Sequence, residues 1–171
     1  MAIFSRVMFL LVDWAARRGL APDLPSTGLA AKQQAKHKGI RGETYAYWYL
    51  RRHGYVFVAR NYTVSGLKGE IDLIGYDGPV LAFVEVKTRA IDTTQPPAGG
   101  KSATAGKLAT AGKPEEAITP DKRRVLSRMA RRFLSERRLA EAAYRFDVLA
   151  IEAPAGHRPT VRLHKNAFAG G

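Results

Sequence analysis

Hydrophobic and polar positions change period several times along the chain, and each change marks an element. Ile3, Val7, Leu10, Leu11 and Trp14 fall at helical spacing. This predicts a short amphipathic N-terminal helix that docks on the rest of the chain or on a partner. Residues 19–38 break the pattern with Gly19, Pro22, Pro25, Ser26 and Gly28, then the polar run Lys32-Gln33-Gln34, and read as a linker. Helical periodicity returns from about Ile40 to Arg52, with Gly54 as its stop. Three strand-like runs follow. Tyr55 to Tyr62 is rich in Val, Phe and Tyr, Glu70 to Tyr76 alternates, and Val80 to Lys87 is apolar apart from Glu85 and Lys87. Asp77-Gly78 supplies a hairpin signal between the last two.

The pattern then lapses. From Thr94 to Pro114 the chain is almost all Gly, Ala, Thr, Ser, Lys, Pro and Gln, with Leu108 the only large apolar residue. Little there could offset the entropy of ordering, so about 92–116 reads as a flexible, solvated insertion. A second long helix opens at Thr119-Pro120-Asp121, an N-cap, a first-turn proline and an acid at the positive end of the dipole. It runs to about Arg138. Val125, Leu126, Met129, Ala130 and Phe133 form its apolar stripe, and Arg124, Arg128, Arg131 and Arg138 its exposed side. Arg145 to Glu152 and Thr160 to His164 complete five strands. The expected fold is α/β, a mixed five-stranded sheet flanked by helices. The expected organisation is an amphipathic helix and linker over 1–38, then one domain over 39–168 that carries the insertion.

Composition narrows the chemistry. The chain has 171 residues, 46% of them hydrophobic, enough for one domain with a real core. It has no cysteine, which excludes disulfides and thiolate metal sites. His37, His53, His157 and His164 form no HxxxH or HxH pair, which speaks against zinc and leaves oxygen ligands for any metal. The net charge is +13, from 28 Lys and Arg against 15 Asp and Glu. Such an excess attracts polyanions, nucleic acid first and an anionic membrane surface second. The run Met8-Phe9-Leu10-Leu11-Val12 is cut by Asp13, too short for a secretory core or a membrane span. Residues 1–18 leave room for a weak membrane or protein contact. The expected location is cytoplasmic, and a homo-oligomer stays open.

The hairpin brings acids together. A two-residue loop at Asp77-Gly78 pairs Tyr76 with Pro79, so that Ile74 faces Leu81, Asp72 faces Phe83 and Glu70 faces Glu85. A four-residue loop gives the same pairing. Glu70, Asp72, Glu85 and Lys87 then project from one face, with Asp72 and Glu85 diagonal neighbours within roughly 8 Å. Two carboxylates so placed can share a divalent ion. Burying charge in an otherwise apolar strand is costly unless it is paired or metal-bound. The plainer alternative is a protruding hairpin end where Glu85 pairs with Lys87 or Arg89. Glu43 shares a helix face with Ala46, Tyr47 and Leu50; on pattern alone it is either a third inward carboxylate or an acid favoured by the helix dipole. Lys122 sits at the third position of a helix, where the dipole disfavours a cation, and in line with the apolar stripe. It either joins Thr119 and the free amides in a phosphate cradle or reaches solvent from the rim of the stripe.

These residues carry a resemblance. Gly69-Glu70-Ile71-Asp72-Leu73-Ile74 followed by Phe83-Val84-Glu85-Val86-Lys87-Thr88-Arg89 resembles the PD-(D/E)XK nuclease superfamily, and more closely the YraN family of small bacterial endonuclease-like proteins. The stretch from Gly39 to Ala46, Asn61-Tyr62, Ile118 to Arg124, Arg145-Phe146-Asp147-Val148 and Asn166-Ala167-Phe168 are similar to that family's motifs. The likeness covers about 39–90 and 117–168. Ile71 stands where the superfamily pattern has Pro, and residues 1–38 and the 92–116 insertion depart from the usual short member.

The resemblance implies a restriction-endonuclease-like fold, with Glu43, Asp72, Glu85 and Lys87 as catalytic residues. It implies Mg²⁺ or Mn²⁺ held by Asp72, Glu85, Glu43 and Val86. Arg89, Thr119, Lys122, Arg123, Arg124, Arg128 and Arg131 are the expected nucleic-acid contacts, with DNA favoured over RNA. The expected function is a metal-dependent endonuclease acting on DNA, including branched or single-stranded forms. The alternative is a non-catalytic nucleic-acid-binding module, for DNA or RNA, on the same fold.

Overall fold

A computed structural model describes residues 2–19, 29–91, 118–154 and 157–170, with side chains over 3–17, 41–88, 118–153 and 157–170. Helices α1 (Ala2–Gly19) and α2 (Leu29–Arg52) precede strands β1 (Val56–Tyr62), β2 (Ile71–Asp77) and β3 (Val80–Ile91); α3 (Pro120–Glu136), β4 (Tyr144–Pro154) and β5 (Thr160–Phe168) follow. The insertion expected at 92–116 lies outside the described residues.

The strands form one five-stranded sheet in chain order. β3 and β4 run parallel, and the other neighbours antiparallel. A parallel pair needs a crossover, and α3 lies within it. Strand alternation splits the core between the two faces. Ile74, Leu81, Phe83, Phe146, Val148 and Phe168 pack under Leu126, Met129, Ala130 and Phe133 of α3. Leu73, Ala82, Val84, Leu149 and Ile151 pack under Tyr45, Ala46 and Leu50 of α2 and Phe9 of α1. The mixed α/β architecture is the one expected, and the apolar stripe of α3 is the one its spacing predicts.

Three expectations change. The linker read over 19–38 is helical from Leu29 on, because α2 starts a full eleven residues before Ile40; its Lys- and Gln-rich opening carries good helix formers despite its polarity. The hairpin register also differs. Asp77 pairs with Val80 and Leu73 with Val84, so the turn is Gly78-Pro79 and not Asp77-Gly78. Proline has no N–H for a ladder, so it takes a turn position, and Gly78 ahead of it adopts a φ of +60°. Third, α1 docks on the domain, one of the two partners expected for it, but through Phe9 and not through the stripe of Ile3, Val7, Leu10, Leu11 and Trp14, which faces outward. Among the described side chains of α1, Ser5, Phe9 and Asp13 are buried.

A polar contact explains that orientation. The Asp13 carboxylate accepts hydrogen bonds from Tyr45 Oη at 2.8 Å, Arg17 Nη2 at 3.1 Å and Arg158 Nε at 2.9 Å. Burial pushes the Asp13 carboxyl up, but these donors outweigh it and hold it below the ordinary carboxylate value.

Candidate metal-binding and nucleic-acid site

The site forms where β2 begins. With Leu73 paired to Val84 on the ladder, the next position sets Asp72 opposite Glu85. This is closer than the diagonal relation expected from the sequence, and on the same face as Ile74 and Phe83, the face that α3 covers. Both acids are buried, Asp72 at 8% exposure and Glu85 at 5%. The β2–β3 ladder stops at Leu73 and Val84, and the Val86 N–H donates instead to the Asp72 side chain, at Oδ2, 2.6 Å away. Glu85 receives Lys87 Nζ on Oε1 at 2.9 Å. Its other oxygen, Oε2, is buried and accepts no hydrogen bond, although Lys122 Nζ stands within ion-pair range at 3.3 Å.

Glu43 reaches the same end of the sheet from the opposite layer. Its Oε2 accepts from Asn61 Nδ2 at 2.7 Å, and Asn61 takes a left-handed φ of +49°, a conformation that Asn tolerates well. Close packing sets this helix against the sheet. A Cβ on Gly42 would lie 2.0 Å from Thr88 Oγ1, so only glycine lets α2 approach β3 there.

Charge is crowded here. Burial, with the neighbouring Glu85, pushes the Asp72 carboxyl up to about 7; Glu43 adds to the rise, while the Val86 N–H and Lys122 oppose it. Among the described residues no three acidic or histidine side chains close into a ready cage. What stands there is two facing buried carboxylates, one with an oxygen lacking a donor, under the charge of a third acid. An all-oxygen set of this kind fits a hard divalent cation such as Mg²⁺ or Mn²⁺.

Of the residues singled out from the sequence, Asp72, Glu85 and Lys87 share one face, Glu43 lies close enough to act on Asp72 electrostatically, and Val86 contributes its N–H to Asp72. Lys122 leans inward as its position in the stripe suggests, and meets Glu85. Thr119 is the N-cap and accepts the Lys122 N–H at 3.3 Å. Arg123 turns back onto the Ile118 carbonyl and over the Phe168 ring. Arg124 pairs with Asp121, and Arg124, Arg128 and Arg131 are exposed on the outer side of α3, away from Glu85. Arg89 continues β3, but its side chain lies outside the described residues. Asn61 was not among the expected site residues. Its only signal in the sequence is the Asn61-Tyr62 pair at the end of a strand-like run.

A mixed five-stranded sheet between helical layers, with an acid on one hairpin strand facing the Glu of a Glu-X-Lys on the next, is the arrangement of restriction-endonuclease-like proteins. Residues 42–151 match the family described as "Uncharacterised protein family UPF0102". The chain belongs to this family, also called the YraN family. It is 40% identical over 133 residues to a UPF0102 protein of Koribacter versatilis, covering 76% of this chain and 78% of the relative. It is 37% identical to one of Geobacter metallireducens, with 78% and 93% covered. Against one of Symbiobacterium thermophilum the identity is 38%, with 78% and 98% covered. The family match spans Glu43, Asp72, Glu85, Lys87 and Lys122, and begins after α1.

Proposed function

We propose that this protein is a divalent-metal-dependent endonuclease that hydrolyses DNA phosphodiester bonds in the cytoplasm, with branched or single-stranded DNA among its substrates. The observation that carries this reading is the facing pair Asp72 and Glu85, buried, with Lys87 bonded to Glu85. Asp72, Glu85 and Glu43 are the residues that would hold Mg²⁺ or Mn²⁺. The ion would supply positive charge to a phosphoryl group and make nearby water more acidic.

The remaining work falls to the chain itself. The Val86 N–H fixes the rotamer of Asp72, and Asn61 does the same for Glu43. Lys87 is 42% exposed at the side chain, so its ammonium can leave Glu85 for an incoming phosphate or water without crossing the core. There it would offset charge that builds as the phosphodiester bond breaks. The net charge of +13 draws the polyanion in, and the exposed arginines of α3 offer sequence-independent phosphate contacts.

The test is cleavage of labelled duplex, single-stranded, flap and four-way-junction DNA, with an RNA control, in Mg²⁺ or Mn²⁺. Metal-dependent cleavage that Lys87→Ala lowers by at least about a hundredfold supports the proposal. Tight binding with no cleavage of any substrate assigns the fold to the non-catalytic module instead.

A further inference from the structure

Helix α1 packs inward through Phe9 together with two polar residues and turns its main apolar strip outward. Ser5 and Asp13 are buried, whereas Ile3, Phe4, Val7, Leu10, Leu11 and Trp14 are 50% to 79% exposed. At 3.6 residues per turn, Ile3, Val7, Leu10, Leu11 and Trp14 fall within an arc of about 100°. Phe4 widens the strip and meets Trp48 edge-on, ring centroids 6.0 Å apart. Exposed Arg6 and Arg17 border it. The Asp13 contacts lock this orientation, so the helix cannot roll to hide the strip without giving up the hydrogen bonds that Tyr45 and Arg158 donate to a buried carboxylate. The family match begins at residue 42, so the shared fold does not account for α1.

Two occupants compete for such a strip. A second copy would bring together two chains of net charge +13. It would also have little to bury: from Ile3 to Trp14 the strip is about 18 Å long and roughly 10–12 Å wide, on the order of 200 Å², against about 800 Å² per partner in a stable pair. An anionic lipid surface meets both features at once. It takes Ile, Leu, Val and Trp side chains into the boundary between headgroups and acyl chains, and it attracts arginine at the border. No helix among the described residues is long and apolar enough to cross a membrane, so the contact would lie in the surface plane.

We propose that α1 seats the protein on anionic lipid, with Ile3, Val7, Leu10, Leu11 and Trp14 inserted and Arg6 and Arg17 against lipid phosphates. α1 and α2 cover one face of the sheet and α3 the other. The Asp72–Glu85 side therefore stays turned from the lipid, and docking leaves it open to its own ligand.

Flotation of the full chain with vesicles tests this independently of any nuclease activity. The vesicles are phosphatidylcholine alone, or the same with one quarter phosphatidylglycerol. The wild type is expected to float with the anionic vesicles and to shift its tryptophan emission to the blue. Leu10→Ser/Leu11→Ser should partition at least about tenfold more weakly, with unchanged circular dichroism and melting, because both side chains are already exposed. Arg6→Gln should lose less, and chiefly at low salt. Absence of vesicle binding by the wild type overturns the proposal. So does equal binding by the double variant, which would assign it to the basic surface alone. A concentration-dependent dimer that Leu10→Ser/Leu11→Ser abolishes, without lipid binding, replaces the lipid with a second copy.

Discussion

Lys122 Nζ, carried by the first turn of α3, stands 3.3 Å from Oε2 of Glu85, the buried oxygen that accepts no hydrogen bond. A cation at the start of a helix works against the dipole, whereas here it faces the acid that the metal reading needs. Lys122→Ala removes a dipole cost but leaves the buried Glu85 Oε2 without its nearby cation, so a net loss of about 1–3 kcal/mol is expected in the absence of metal. Nucleic-acid affinity or cleavage should fall about tenfold or more. A variant that melts lower but binds and cleaves as the wild type does would make Lys122 a packing residue.

Protonation of Asp72 couples to folding. Its folded value is raised to about 7 by burial and by Glu85. Between about pH 4 and pH 7 the folded chain therefore keeps a proton that the unfolded chain has released, and stability falls as pH rises through that window. Asp72→Asn keeps an acceptor for the Val86 N–H and removes the charge. It should be more stable than wild type by about 1–2 kcal/mol at pH 8 without metal, and equal to it near pH 4. Mn²⁺ should close the gap at pH 8 by stabilising the wild type alone. Urea titrations of both proteins at the two pH values, with and without Mn²⁺, measure this; parallel pH profiles would refute it.

Gly42 and Thr88 set the distance between α2 and the sheet beside Glu43. Gly42→Ala would put a methyl carbon 2.0 Å from Thr88 Oγ1, so the helix has to shift and Glu43 moves with it. A loss of about 1–3 kcal/mol is expected, together with most of any metal-dependent activity. Adding Thr88→Ala removes Oγ1 and should restore part of both, since only the Thr88 Cβ, at 3.0 Å, still crowds the new methyl. Additive effects in this double-mutant cycle would contradict the close approach.

Asp13 holds α1 through contacts 32 and 145 residues away in sequence, to Tyr45 and Arg158. With its carboxyl held below the ordinary value, its contribution is complete at neutral pH and fades on acidification below about pH 4. Asp13→Ala leaves the Tyr45 hydroxyl without its acceptor, at a cost of about 1–3 kcal/mol. Hydrogen exchange should accelerate over residues 2–19 far more than in the sheet strands. Uniform acceleration would show instead that α1 and the sheet unfold as one unit.

Much of the fold was legible because helix and strand periods are local. The alternation of β2, the apolar run of β3 and the stripe and cap of α3 are each written within one stretch of chain. Alternation alone also put Asp72, Glu85 and Lys87 on one face, and a register slip by whole steps of two does not change that. Tertiary structure decided which residues meet. The chain placed Pro79 in the turn, so that Asp72 came opposite Glu85 rather than Phe83. The contact of Lys122 with Glu85 depends on where the β3–α3–β4 crossover sets a helix start, and that of Asn61 with Glu43 on a helix and a strand from different layers. The same holds at α1. Its period predicted an amphipathic helix, but the side that docks was chosen by Tyr45 and Arg158, distant residues whose hydrogen bonds to a buried carboxylate outweighed the pull of the apolar stripe toward the core.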